Sequence, residues 1–343
     1  MSQPQDDRFP AANRPPDRRE FLKRTAAGLA VAGVAGLSGN VPAWSAETQP
    51  APNGAANPAV SSETLVQQLY GTLTDEQKKL CAFEFDHPLR SRVDNNWFIT
   101  KAEVGRNFNA DQQQLIKEIF LKLHSEEYQE AVMKQVEHDG GFRRCAIALF
   151  GQPGSGQFEF VLTGRHVTRR CDGDSLAGTA FGGPIFYGHA AAAFNEPATH
   201  PGNVYWFQAV RANELFQALD GKQRESALRA DPRAEQGAQT VQLAAPNTEL
   251  RGLPVSDLTA DQKQLARQVM TDLLAPFRTT DREESMKLVE KNGFDKLHFS
   301  YFKNLDIGND GVWDVWQVEG PAMIWYFRGS PHVHTWVNIR ESA

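Results

Sequence analysis

Apolar positions along this chain change period, and the change predicts which parts are helix and which are sheet. Helices are predicted at the start of the folded region and over 204–230 and 257–292, joined by a polar stretch near 231–252. Three helix starts share one pattern: Thr74-Asp75-Glu76-Gln77, Asn109-Ala110-Asp111-Gln112 and Thr259-Ala260-Asp261-Gln262. Each places a capping oxygen, an acid in the first turn and Gln three positions on. The cap accepts from otherwise unpaired N–H groups, and the acid sits at the positive helix end. Leu73, Phe108 and Leu258 precede the caps as hydrophobic staples. Helix-start chemistry accounts for the likeness of the three without an internal repeat.

The middle and end of the chain shift to strand patterns. Cys145–Phe150 is an apolar run, Gly151-Gln152-Pro153-Gly154-Ser155-Gly156 is a turn, and Phe158, Phe160 and Leu162 then alternate with other residues. No Lys-Ser/Thr follows these glycines and a strand comes next, so they form a hairpin loop and not a phosphate loop. Asp172-Gly173 and Asn309-Asp310-Gly311 are further turn signals, the second lacking the later glutamate of a calcium loop. Strands return over His298–Tyr301, Trp313–Val318, Met323–Phe327 and His332–Ile339. Helices first and late, with strands between and after, predict an α+β fold with a mainly antiparallel sheet.

The N-terminus belongs to none of this. Arg18-Arg19 followed by Phe21-Leu22-Lys23, an uncharged stretch from Thr25 to about Leu37, and small residues around Ala43–Ala46 resemble a bacterial twin-arginine export signal. The stretch is too short and too weakly apolar for a spanning helix. Expected partners are therefore the twin-arginine translocase and a signal peptidase, with a periplasmic or secreted destination and no transmembrane anchor after processing. Residues 1–46 are excluded from fold reasoning, 47–60 read as a flexible Pro/Ala/Asn tether, and 61–343 as one domain. The excluded segment carries Arg8, Arg14, Arg18, Arg19, Lys23 and Arg24 against Asp6, Asp7, Asp17 and Glu20. The remainder is thus more acidic than the −6 of the whole chain. Without a basic run it offers no footprint for a phosphate backbone, which argues against nucleic acid. Cys81, Cys145 and Cys171 allow one disulfide or none, and their spacing fits packing better than metal binding.

The sharpest chemistry is C-terminal. In Pro331-His332-Val333-His334-Thr335-Trp336-Val337-Asn338, strand alternation places His332, His334, Trp336 and Asn338 on one face. Val333, Thr335, Val337 and Ile339 take the other, which reads as the core-packing face, so the histidines point into a pocket or into water. Two imidazoles at this spacing converge on one metal ion when a third ligand is supplied from elsewhere; the plainer reading is a solvated polar face. His166 shares parity with Phe158, Phe160 and Leu162, so it needs a buried partner. His189 follows the glycine-rich Gly182-Gly183-Pro184-Ile185-Phe186-Tyr187-Gly188, which suits close backbone approach. Arg165, Trp336 and Asn338, beside these histidines or on their face, are candidate ligand contacts. Glu84 and Asp86 alternate with apolar residues, and an Asp86–Arg90 ion pair at the helix exit is the expected arrangement there.

Taken in order, Leu73-Thr74-Asp75-Glu76-Gln77-Lys78, Phe85-Asp86, Phe150-Gly151-Gln152-Pro153 and Phe160-Val161-Leu162-Thr163-Gly164-Arg165-His166 resemble a bacterial and fungal family, the domain of unknown function 3500 (DUF3500). Gly183-Pro184-Ile185-Phe186-Tyr187-Gly188, Gly252-Leu253-Pro254-Val255-Ser256-Asp257-Leu258, Gly320-Pro321 and His332-Val333-His334 extend the likeness over nearly the whole processed chain. The family pattern has a double histidine where this chain reads Arg165-His166, and Arg-Asp where it reads Asn338-Ile339. The resemblance implies no activity.

Two functions are open at this point, and a structural or assembly role stands behind both. One is a metal-dependent enzyme in which His166, His332 and His334 hold copper, zinc or iron, with His189 or water completing the shell. The other is a binding module for a small molecule or polymer such as a glycan, using Trp313, Trp316, Trp325 and Trp336 as stacking surfaces.

Overall fold

The two periods read from the chain sort into two layers in the computed structural model, which describes residues 60–189, 204–302, 313–329 and 331–343. The export motif with Arg18 and Arg19, the tether over 47–59 and the Asn309-Asp310-Gly311 turn lie outside the described residues. The first half runs α1 (Ser62–Thr72), α2 (Asp75–Cys81), β1 (Ala82–Phe83), α3 (Val104–Asn107), α4 (Ala110–Lys122), α5 (Glu126–His138), β2 (Ala146–Gly151), β3 (Phe158–Gly164), β4 (Val167–Cys171) and β5 (Ile185–His189). The second runs α6 (Trp206–Ala218), α7 (Gly221–Ala227), β6 (Leu228–Arg229), β7 (Leu253–Pro254), α8 (Ala260–Leu274), α9 (Thr279–Asn292), β8 (His298–Phe302), β9 (Val315–Gly320), β10 (Met323–Arg328) and β11 (Val333–Ile339). The strands form one sheet ordered β1-β2-β3-β4-β5-β11-β10-β9-β8-β6, with β7 also on β8. Only the short edge pairs β1–β2 and β6–β8 are parallel. The fold is α+β with a mainly antiparallel sheet, as predicted.

Each long helix predicted in the second half is in fact two. The 204–230 segment breaks where Asp220 caps a new helix, and 257–292 breaks at Pro276, which has no N–H to donate. Helical periodicity runs across both breaks, so only the cap and the proline mark them.

The likeness of the helix starts has a deeper cause than local chemistry. Apart from the one-turn α3 in the first half and the two-residue β7 in the second, the order helix, helix, edge strand, long irregular connection, helix, helix, four antiparallel strands occurs twice, and the sheet order reads the same from both ends about the β5–β11 pair. In the first half the capping-box glutamines Gln77 and Gln112 exchange amide hydrogen bonds of 2.8 and 3.0 Å. In the second, Gln223 and Gln262 do the same at 2.9 and 2.8 Å. Val104 N–H donates to the Cys145 carbonyl, and Val255 N–H to the Leu297 carbonyl, both at 2.8 Å. A structural repeat is therefore present, contrary to the expectation from sequence.

One sheet face packs on the helices through the main core, which includes Phe160, Leu162, Tyr187, Trp325, Phe327 and Val337. The other face is buried as well. The irregular connections after β1 and β6 lie across it, contributing Trp97 and Ile99 over Val161 and Phe150, and Val93 and Val241 alongside Phe186, Ile324 and Trp336. Buried ion pairs fix the first connection: Glu159 on β3 accepts from Arg90 and Arg170, and Arg170 also donates to the Arg92 carbonyl. Asp86 is exposed, so the expected Asp86–Arg90 pair is replaced by Arg90–Glu159. All three cysteines are free and buried, consistent with packing roles.

Gln112 closes its own capping box and, through its buried amide, also bonds Thr72 and Gln77. Gln112→Ala is expected to destabilise the protein by about 2–4 kcal/mol, from a lost cap and buried partners left unsatisfied. Exposed Gln114→Ala on the same helix should cost no more than about 0.5 kcal/mol. Denaturant unfolding of the two variants reads the contrast, and equal midpoints would refute it.

Candidate metal centre

Three imidazoles meet where the sheet halves join. The β3–β4 hairpin turns on two residues, with Gly164 paired to Val167 and Arg165-His166 between them. That turn, and not the parity of β3, sets the direction of His166. Strand alternation predicted the Phe160/Leu162 face, but the His166 ring instead comes beside Phe186, on the opposite face. His334 stands on that same face: it pairs with Gly188 across β5–β11, while the next residue on its side, Trp336, pairs with Phe186. His332 precedes it by two positions. This face is not solvated, since His166, His334, Trp336 and Asn338 are all buried and His332 half-buried.

The Nε2 atoms of the three rings converge. His332 and His334 are 2.8 Å apart, His166 and His334 3.1 Å, and His166 and His332 3.3 Å. Nitrogens about 2.1 Å from one shared ion have these separations when their bonds to it lie about 85–105° apart. The three residues are a group able to hold a metal ion.

Carboxylates behind two of the rings assign their protons. Asp139, just beyond the end of α5, places Oδ2 3.1 Å from His166 Nδ1. Glu235, in the connection after β6, places Oε2 2.8 Å from His334 Nδ1. A carboxylate accepts, so His334 Nδ1 carries the hydrogen and its Nε2 turns a lone pair to the centre, while Asp139 lies against the same edge of the His166 ring. Burial would raise the Asp139 carboxyl, but the contact with His166, its charge and the Gln135 amide outweigh burial and hold it below its ordinary value. Glu235 is likewise lowered, burial being overcome by His334, Arg328 and Trp336. Burial and the neighbouring histidines push His332 down to about 3; burial, against the opposing pull of Glu235, takes His334 down to about 4. Both rings are neutral at neutral pH.

One glycine makes room for the rings, and one arginine braces the acid behind them. Gly188 faces His334, and a side chain there would run into the Val333 carbonyl and reach 3.3 Å from His166 Cδ2. Arg328 on β10 pairs with His334 across β10–β11 and lies 3.2 Å from Glu235 Oε1.

The other residues singled out in the sequence fall elsewhere. His189 pairs with Val333, so its side chain leaves on the helix-packed face, away from His332 and His334, and its ring stacks on His138 at 5.8 Å. Trp336 donates to Glu235 Oε1 at 3.0 Å, and Asn338 to the Val241 carbonyl at 3.0 Å. Both hold the second connection to the sheet. Arg165 is exposed at the tip of its turn. Trp316, Trp325 and Trp336 are completely buried, and none offers a face for stacking. Sequence reasoning missed Asp139 and Glu235. Asp139-Gly140-Gly141 reads as a helix-terminating turn, and Glu235 is one acid among many in a polar stretch.

A family model described as "Protein of unknown function (DUF3500)" matches residues 55–341. No curated protein matches the chain, and neither does any solved structure.

Proposed function

We propose that this chain, which belongs to the DUF3500 family, is a metal-dependent enzyme that works outside the cytoplasm. His166, His332 and His334 are the ligands, and one copper, zinc or iron ion is the cofactor. The observation that carries this reading is the convergence of the three Nε2 atoms within 3.3 Å, two of them backed by carboxylates. Glu235 takes the His334 Nδ1 hydrogen, so the His334 Nε2 lone pair faces the other two rings, where a cation would accept it. Neutral imidazoles suit all three metals.

A bound ion at such a site supplies Lewis acidity or a redox centre. The protein's own part is to hold the rings. Asp139 and Glu235 keep the Nδ1 protons in place, burial keeps His334 neutral, and half-buried His332 marks the side from which a small molecule or polymer end approaches. Three protein ligands among the described residues match the open shell of catalytic sites better than the closed shell of structural ones. Trp316, Trp325 and Trp336 are buried and give a binding module no stacking face, which leaves that reading only the half-buried Trp313. A twin-arginine signal fits the enzyme reading, because that route carries chains already folded and loaded.

Elemental analysis of protein purified without a polyhistidine tag is expected to find about one transition-metal ion per chain, and to find it lost in the His332→Ala/His334→Ala double variant. Equal, substoichiometric metal in both would sink the proposal. Asp139→Asn and Glu235→Gln should each weaken metal affinity about 10–100-fold in a chelator competition. Replacing Arg18 and Arg19 together by lysine should leave the chain in the cytoplasm on cell fractionation. Unchanged export would remove the twin-arginine part of the reading and leave the metal site standing.

A further inference from the structure

A cavity of about 260 Å³ opens beside His166, bordered by Asp139. Its size is below the ~300–1,000 Å³ of pockets for drug-sized ligands, so it suits a single ring. Its floor is apolar, since Val136, Cys145 and Val167 are each at most 4 % exposed. Phe98 forms part of the wall, and at 50 % exposure it is one of three large hydrophobic side chains left exposed among the described residues.

The mouth is cationic. Arg144 and Arg165 both line the cavity and are both exposed. Among the described residues neither guanidinium has an ion pair or a side-chain hydrogen bond, whereas adjacent Arg143 donates to Gln113 and to the Gly105 carbonyl. The inner end is anionic and already committed: Asp139 contacts His166 and accepts from the Gln135 amide at 2.7 Å. A ligand with a carboxylate can therefore enter in only one sense. Its apolar part goes to the floor, and its charge stays at the two arginines, whose forked donors match a carboxylate.

We infer that this cavity binds a small aromatic carboxylate, with the ring against Phe98 and Val136 and the carboxylate on Arg144 and Arg165. The inference does not depend on the metal, because the contacts are to side chains that are not ligands.

Calorimetric titration of the whole chain with benzoate, and with benzamide as the neutral isostere, tests this. Benzoate is expected to bind once per chain, at least tenfold more tightly than benzamide. Arg144→Met/Arg165→Met should lose at least tenfold in benzoate affinity at an unchanged melting temperature. The His332→Ala/His334→Ala variant should keep benzoate binding, which separates this site from the metal centre. No binding by the wild-type chain, equal binding of benzamide, equal binding by the arginine variant, or loss in the histidine variant would each overturn the assignment.

Discussion

His166 and His334 bring their Nε2 atoms within 3.1 Å of each other in a buried site, with a carboxylate standing behind each ring. Much of the surrounding structure serves to bring it about. A two-residue turn sends His166 over the sheet, Gly188 leaves space for its ring, and the connection after β6 brings Glu235 to the back of His334. Asn338, Trp336 and Arg328 then hold that connection against the strands. Removing any of these anchors loosens a ligand without touching it, which is how outer contacts tune a metal site.

The near two-fold repeat makes the single site more informative. The second half has the turn equivalent to Arg165-His166, between the paired residues Gly320 and Met323, but it reads Pro321-Ala322. No imidazole is available there, so the fold's symmetry does not produce a second cluster of this kind among the described residues. The one cluster draws His166 and Asp139 from the first half and Glu235, His332 and His334 from the second. It lies at the β5–β11 pair, where strands of the two halves adjoin. Neither half contains enough ligands by itself.

Much of this was legible in the sequence, for identifiable reasons. Capping boxes announced the helix starts because their chemistry is local, and strand alternation put His332, His334, Trp336 and Asn338 on one face. The same alternation failed for His166, since a two-residue turn cancels the parity of the strand before it. It also assigned one apolar face to β11, whereas both faces are buried once the long connections cover the sheet. Nothing in a polar stretch distinguishes Glu235 from its neighbours until the chain folds back over β11. The repeat was hidden because it lives in element order and amide exchange, with little residue identity to reveal it.

Assembly from both halves has a further consequence for when the site can exist. An unfolded chain holds these five residues far apart, so whatever free energy the ion contributes on binding is contributed to the folded state. Loading then follows folding, or completes it. At neutral pH His332 and His334 are neutral, the form that binds a metal. A chain with such a site is best filled where the metal supply is controlled, before it leaves that compartment. Export in the unfolded state would dismantle the centre. On the reading proposed here, the physical demand for an intact β5–β11 junction is what links the histidine cluster to a signal for transport in the folded state.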